Sequence, residues 1–319
     1  MELKKVISFK VVKYLKRRRA TKVLLLCLLF AAVIGMTLAP AIVTAQKSFD
    51  FGDAPEGALA YPSSGVTGAF PTCTGGTAGY VIHSNFGAVF GPTVDYEVDG
   101  NAGNCPLFNP NSYDQDECFN DGDAGLIMPE PYTIRGAVGS EVVAPCAGCN
   151  GTALGNVCQQ AKWGTDIDIQ VHNAMPGGTD GYVNVLVDWN QDGQWGGSST
   201  CPGGAVVNEH VLHNLLVPNR YHGPLSALGP ADFNIGPNPG YVWVRFTISP
   251  PMPLVPWDWD GAKGFEDGES EDYLLRVDGG GPVGGTALPI ERAELLLPWL
   301  GVAALVAGAI VVVLKKRLT

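Results

Sequence analysis

The stretch Asp188-Trp189-Asn190-Gln191-Asp192-Gly193-Gln194-Trp195 carries oxygen-bearing side chains at its first, third and fifth positions, followed by a glycine. Hard cations such as Ca2+ collect oxygen ligands from such loops. Alternate side chains reach one centre, the glycine permits the sharp turn, and Gln194 at position seven offers its backbone carbonyl. The second half of a helix-flanked calcium loop is missing, because position twelve is Ser199 and no helical pattern flanks the stretch. Two readings follow. Either a carboxylate from elsewhere in the chain completes a calcium site, or this is a polar turn whose Asp and Asn side chains cap backbone amides.

Three further acid groups bear on that choice. Asp95-Tyr96-Glu97-Val98-Asp99-Gly100 repeats the half-motif, with Pro106 at position twelve. The cluster from Asp114 to Asp123 lies close by and offers additional ligands. Glu266-Asp267-Gly268-Glu269-Ser270-Glu271-Asp272-Tyr273 runs into an apolar segment; on a strand, Glu269 and Glu271 share one face and Asp272 takes the other. These carboxylates repel one another unless they are paired or metal-bound. The expected site joins Asp188, Asn190, Asp192 and Gln194 to Glu269 or Glu271 around one Ca2+, with Asp95, Glu97 and Asp99 as a second set of ligands. A carboxylate pair also suits general acid/base chemistry on a glycoside, if its separation is right.

Other chemistry is weakly represented. His210 and His213 share a face if Glu209 to Leu216 is a short helix, but the glutamate of a zinc protease is absent beside them. Cys146-x-x-Cys149 has neither a second such pair nor a βαβ setting, so a disulfide-rich loop suits it better than a zinc or redox site. No nucleophile elbow and no phosphate-binding loop occurs, and no catalytic role is assigned.

The elements that must position these residues are strands. Forty-two glycines and 24 prolines punctuate the chain, and period-two alternation replaces helical spacing between residues 46 and 285. Asp166–Val171, Tyr182–Asp188, Tyr241–Ile248 and Tyr273–Val277 alternate most clearly, and Tyr80–His83 and Ala88–Val94 are shorter candidates. The expected fold is all-β: an antiparallel β-sandwich over 161–278, preceded by a loop-rich, disulfide-containing acidic segment over 46–160.

The two ends have a different character. Residues 1–45 combine nine Lys/Arg, an apolar run and a small-residue site at Val43-Thr44-Ala45, the order of a secretory signal peptide. Residues 279–294 form a Gly/Pro linker. Residues 295–314 are an uncharged apolar stretch of transmembrane length, and the basic tail at 315–319 predicts a cytoplasmic end. The implied location is the cell surface, with one C-terminal membrane helix and the remainder outside. Taking the +8 of the first 45 residues and the +3 of the last 25 from the total of −11 leaves −22 on the part between. Such a charge repels nucleic acid and favours cation binding. Seven of the eight cysteines lie in this part, enough for three disulfides and one unpaired thiol.

An ordered set of motifs resembles those of a known family. Asp50-Phe51-Gly52-Asp53-Ala54-Pro55 resembles the DFGDAP opening of many secreted and surface proteins of bacteria and archaea. Val94 to Gly100 and Asp114 to Gly125 resemble the acid-rich elements that follow it. Val187-Asp188-Trp189-Asn190-Gln191-Asp192-Gly193, Val244-Arg245-Phe246 and Gly268-Glu269-Ser270-Glu271-Asp272-Tyr273 resemble the signatures of the GEVED domain, with Ser270 replacing the usual valine. The resemblance covers about 49–278 and implies a non-catalytic β-sandwich module of cell-surface proteins. The tail from Pro282 is similar to membrane-anchoring sorting tails, without an LPxTG motif. The function so implied is adhesion or envelope structure, with a surface protein or glycan as ligand. The alternative is a carbohydrate-binding module or glycoside hydrolase, in which Trp189, Trp195, Trp257 and Trp259 stack on sugars.

Overall fold

The computed structural model describes residues 49–94, 96–100, 105, 118, 124–251 and 254–280. The expected signal peptide, the linker beyond residue 280, the apolar stretch 295–314 and the basic tail lie outside them. Among the described residues no helix is long and apolar enough to cross a membrane.

The described chain is built from strands in several sheets. The largest sheet has seven strands. Six follow in the order His210–Val217, Gly181–Val187, Gly240–Ser249, Glu269–Asp278, Tyr132–Arg135 and Val142–Pro145, each antiparallel to its neighbour. Gly155–Asn156 adds a short parallel pairing to the end of Glu269–Asp278. A smaller sheet sets Asp168–Asn173 against His222–Pro224, Ala88–Phe90 and Leu126–Met128. Strands from 88–156 thus enter the same two sheets as strands from 168–278. The boundary expected near residue 160 does not divide the fold, because the earlier segment supplies strands that the later one pairs with.

Alternation in the long strands feeds two cores. Val183, Val185 and Val187, with Val244, Phe246, Ile248, Tyr273 and Leu275, pack against Phe90, Ile169 and Val171 of the smaller sheet. The opposite face presents Leu186, Trp243 and Leu274 to Ala54, Ala60, Tyr61 and Phe70 of the N-terminal segment, with Trp195 and Trp259. A sheet covered on both faces needs apolar residues at successive positions, which explains why Tyr182–Val187 is more apolar than a half-exposed strand.

The N-terminal segment is held on its face by buried polar contacts as well as by the apolar core. Arg245 and Asp272 lie directly opposite each other on adjacent strands. Both are fully buried, and two hydrogen bonds of 2.7 and 2.5 Å join them. The same Asp272 carboxylate accepts the amides of Asp53 and Ala54, each at 2.8 Å. Arg245 also donates to the carbonyls of Pro71 and Gly261. A Cβ on Gly52 would fall 1.9 Å from a guanidinium nitrogen, so the backbone of the Asp50–Pro55 motif reaches Arg245 only through a glycine. Asp50 accepts the Ser270 amide at 2.8 Å, and burial holds its carboxyl well above the usual carboxylate range.

Disulfides join Cys73 to Cys105, Cys118 to Cys146, and Cys158 to Cys201, and Cys149 keeps a free thiol. The Cys146-x-x-Cys149 pair is therefore not an internal bridge. Closing loops of 28 to 43 residues, each disulfide contributes roughly 3–4 kcal/mol in the chain-entropy account.

Candidate functional site

The 188–195 loop begins where the Gly181–Val187 strand ends, and the Asp188 amide still bonds the Trp243 carbonyl at 3.0 Å. Asp188 is fully buried. One carboxylate oxygen accepts the Tyr61 hydroxyl and the Gly193 amide, both at 2.8 Å, and the other accepts the Asp192 amide at 3.2 Å. The Asn190 side-chain oxygen takes the Asp192 amide at 2.8 Å, and Asp192 takes the Gln194 amide at 3.0 Å. Gly193 has φ +83°, where a side chain is strained, and its carbonyl accepts the Ala69 amide at 2.7 Å. The loop is thereby docked on the Val66–Ala69 strand. Asn190 is half-buried, whereas Asp192 and Gln194 are exposed.

Glu209 meets this loop from another part of the chain. The hairpin of Ser198–Thr200 and Val206–Asn208 folds back so that the Glu209 amide bonds the Gly197 carbonyl at 3.0 Å. Glu209 is 1% exposed, and one of its oxygens accepts the Gly197 amide at 2.8 Å. The Asn190 amide lies near enough to favour the ionised form, yet no donor meets Oε1 in hydrogen-bond geometry. Burial, followed by the charges of Asp188 and Asp192, pushes the Glu209 carboxyl up to about 7. Burial, with Asp192 beside it, takes Asp188 up to about 6. Among the described residues, no group of three or more His, Cys, Asp or Glu side chains is placed to hold a metal ion.

The other acids expected as ligands lie elsewhere and hold backbone groups. Glu269 and Glu271 stand opposite Ile248 and Phe246, while the Asp188 amide is level with Trp243. At about 3.4 Å per residue, Glu269 lies on the order of 17 Å further along the sheet. An ion shared between the loop and Glu269 or Glu271 does not fit this register. Glu269 accepts the Phe90 amide, and Glu271 accepts the Tyr273 hydroxyl and the Gly125 amide. Glu97 accepts the Phe51 amide at 3.1 Å, and Asp99 accepts the Thr74 amide and hydroxyl at 2.8 Å each. Asp95 is outside the described residues.

The histidines also differ from expectation. His210–Val217 is a strand, not a helix. Two register irregularities against the Gly181–Val187 strand bring His210 and His213 together, with ring centroids 4.9 Å apart. His210 is buried, and burial lowers its pKa to about 4. Of the four tryptophans expected at a sugar surface, Trp189, Trp195 and Trp259 are buried. Trp257 alone stands out, 64% exposed and stacked on His213 at 4.0 Å.

The fold and the loop define an acid-rich, disulfide-bonded, all-β domain in which buried carboxylates organise backbone. No protein-family model, no curated protein and no solved structure matches the chain.

Proposed function

We propose that this chain is a membrane-anchored cell-surface protein whose ectodomain is a GEVED-like β-sandwich braced by calcium, serving adhesion or envelope structure. The observation that carries the calcium reading is the preformed loop. Asp188, Asn190 and Asp192 already hold its backbone in a tight turn, and Tyr61 fixes Asp188 from the N-terminal segment. Oxygen-only donors of this kind suit Ca2+ better than Zn2+ or copper. Bound to the folded state alone, calcium stabilises by mass action, by about 2.7 kcal/mol at a hundredfold excess over Kd. For a domain of this size that is a rise of roughly 5–10 °C in Tm. Melting the full chain in detergent micelles with chelator, then with millimolar calcium, measures it. A Tm that does not move removes the calcium brace from the proposal.

A second reading has one observation of its own. Trp257 presents an open indole face, stacked on His213 beneath it, beside exposed Asp258. An exposed indole face of this kind suits stacking on a sugar ring. A glycan array probed with the full chain and with Trp257→Ala tests it. The expected result is binding that the substitution abolishes; identical array profiles would dismiss the reading.

A further inference from the structure

Glu209 is a buried carboxylate that the fold satisfies only on one side. Oε2 has the Gly197 amide, whereas Oε1 meets no donor in hydrogen-bond geometry among the described residues, the Asn190 amide near the carboxylate included. None of the described lysines or arginines forms an ion pair with it. A buried polar atom left without a partner carries a desolvation penalty, and a charged one carries more. The nearby charged groups, Asp188 and Asp192, make the penalty worse, since both are acidic. Nothing in the packing of the hairpin explains why a glutamate, rather than a neutral residue, occupies this position.

The lone pairs around it are unevenly used. Each carboxylate oxygen offers about two acceptor sites. On Asp188, Oδ2 is filled by Tyr61 and Gly193, but Oδ1 carries only the Asp192 amide. Asn190 Oδ1 carries one donor, and each Asp192 oxygen carries one. Open acceptor sites therefore remain on Asp188, Asn190, Asp192 and Glu209, and among the described residues no lysine or arginine forms an ion pair with them. Counting Asp188 as position one, Glu209 is position twenty-two. The Ser198–Thr200/Val206–Asn208 hairpin returns it to the loop that lacks an acid at position twelve.

We propose that Glu209 is the closing ligand of a calcium site whose other side-chain donors are Asp188, Asn190 and Asp192. This rests on the calcium reading above and adds the ligand which that reading left unassigned. The three carboxylates do not make a cage by themselves. The Asn190 amide oxygen, backbone carbonyls and water complete the six to eight oxygens that Ca2+ takes. Ion binding draws exposed Asp192 inward and supplies Oε1 with its missing partner.

The test uses the full chain in detergent micelles, with calcium followed by calorimetry and Tm, and with Tb3+ emission sensitised by Trp189 and Trp195. Glu209→Gln keeps the shape and removes the charge. It is expected to lower calcium affinity by about tenfold or more, the scale on which groups supporting a metal centre act. It should also abolish most of the calcium-induced rise in Tm, and melt no lower than the parent in chelator at pH 8. A Glu209→Gln protein that keeps the parent's calcium-induced rise overturns the assignment while leaving the calcium reading intact. A parent chain with no rise and no sensitised emission overturns both. Glu209→Asp retains a shorter carboxylate and serves if Glu209→Gln does not fold. It should weaken terbium binding severalfold, and unchanged binding would count against the proposal.

Discussion

Asp272→Ala is expected to cost about 3–5 kcal/mol, the scale of breaking a buried ion pair by removing one partner. Arg245 would stay fully buried, still bonded to the Pro71 and Gly261 carbonyls but without its counter-charge. The amides of Asp53 and Ala54 would lose their acceptor in the same step. Folded domains have roughly 5–15 kcal/mol in total, so this single change takes a large share. A fall in Tm of roughly 6–20 °C is expected at this chain size. The damage should extend beyond the pair, because Asp53 and Ala54 lie in the segment that delivers Tyr61 to Asp188. Replacing both partners, Arg245→Met with Asp272→Leu, should be milder than Asp272→Ala alone, since neither member of the pair is left buried without the other. Denaturant melts of the three variants decide it. A loss below about 1 kcal/mol for Asp272→Ala would mean that the pair does not hold the N-terminal segment.

Which parts of this fold were legible in the sequence follows from how local their causes are. Tyr241–Ile248 and Tyr182–Asp188 announced themselves because alternation and β-branched residues act over a few positions, and both are strands. The short Ala88–Val94 candidate was legible in place but not in extent: its strand ends at Phe90. Glu209 to Leu216 failed because two irregularities against Gly181–Val187 shift the alternation, so that the histidine spacing imitates a helix. The tryptophans failed for a different reason. Their burial depends on the N-terminal segment covering the second face of the large sheet, a long-range event that period two does not encode.

The site was legible only in its local half. Asp188, Asn190, Asp192 and Gly193 follow a spacing that any seven-residue window shows. Tyr61, which bonds Asp188, and Glu209, the buried acid next to the loop, lie 127 residues before and 21 residues after Asp188, at positions fixed by docking and by a hairpin. The acids of Glu269–Asp272 were conspicuous for their charge, and charge suggested metal. The fold uses them instead as acceptors for Phe90, Gly125, Asp53 and Ala54 amides and for Arg245. A sequence shows how many carboxylates must be neutralised. It does not show that amides from a distant segment do so.

Acidification should expose His83 as a pH-dependent contributor to stability. The ring is fully buried, stacked on Phe265, with Nε2 facing the Ser270 hydroxyl at 3.0 Å and Nδ1 facing the Asp267 carbonyl at 3.2 Å. Burial, with the Arg245 charge acting in the same direction, lowers its pKa from 6.5 to about 3. The unfolded chain therefore takes up a proton below pH 6.5 that the folded chain refuses. Stability from neutral His83 is complete above pH 6.5 and is lost as pH falls from there toward 3. The loss is about 1.4 kcal/mol per pH unit, hence about 2 kcal/mol between pH 6.5 and 5. Asp188 and Glu209 act with the opposite sign. Their raised values favour the folded state at low pH, and that contribution fades as pH rises through about 6 and about 7. The raw pH profile of the parent chain is thus a difference of opposed effects, and the informative quantity is the parent profile minus that of His83→Gln. Glutamine keeps a donor and an acceptor and gives up the titration together with the Phe265 stacking. The stacking loss is a constant offset, whereas the titration is a slope. Denaturant melts in chelator from pH 8 to pH 5 should show the parent losing about 2 kcal/mol relative to His83→Gln, most of it below pH 6.5. Parallel profiles would mean that His83 is protonated as readily in the folded chain as in the unfolded one.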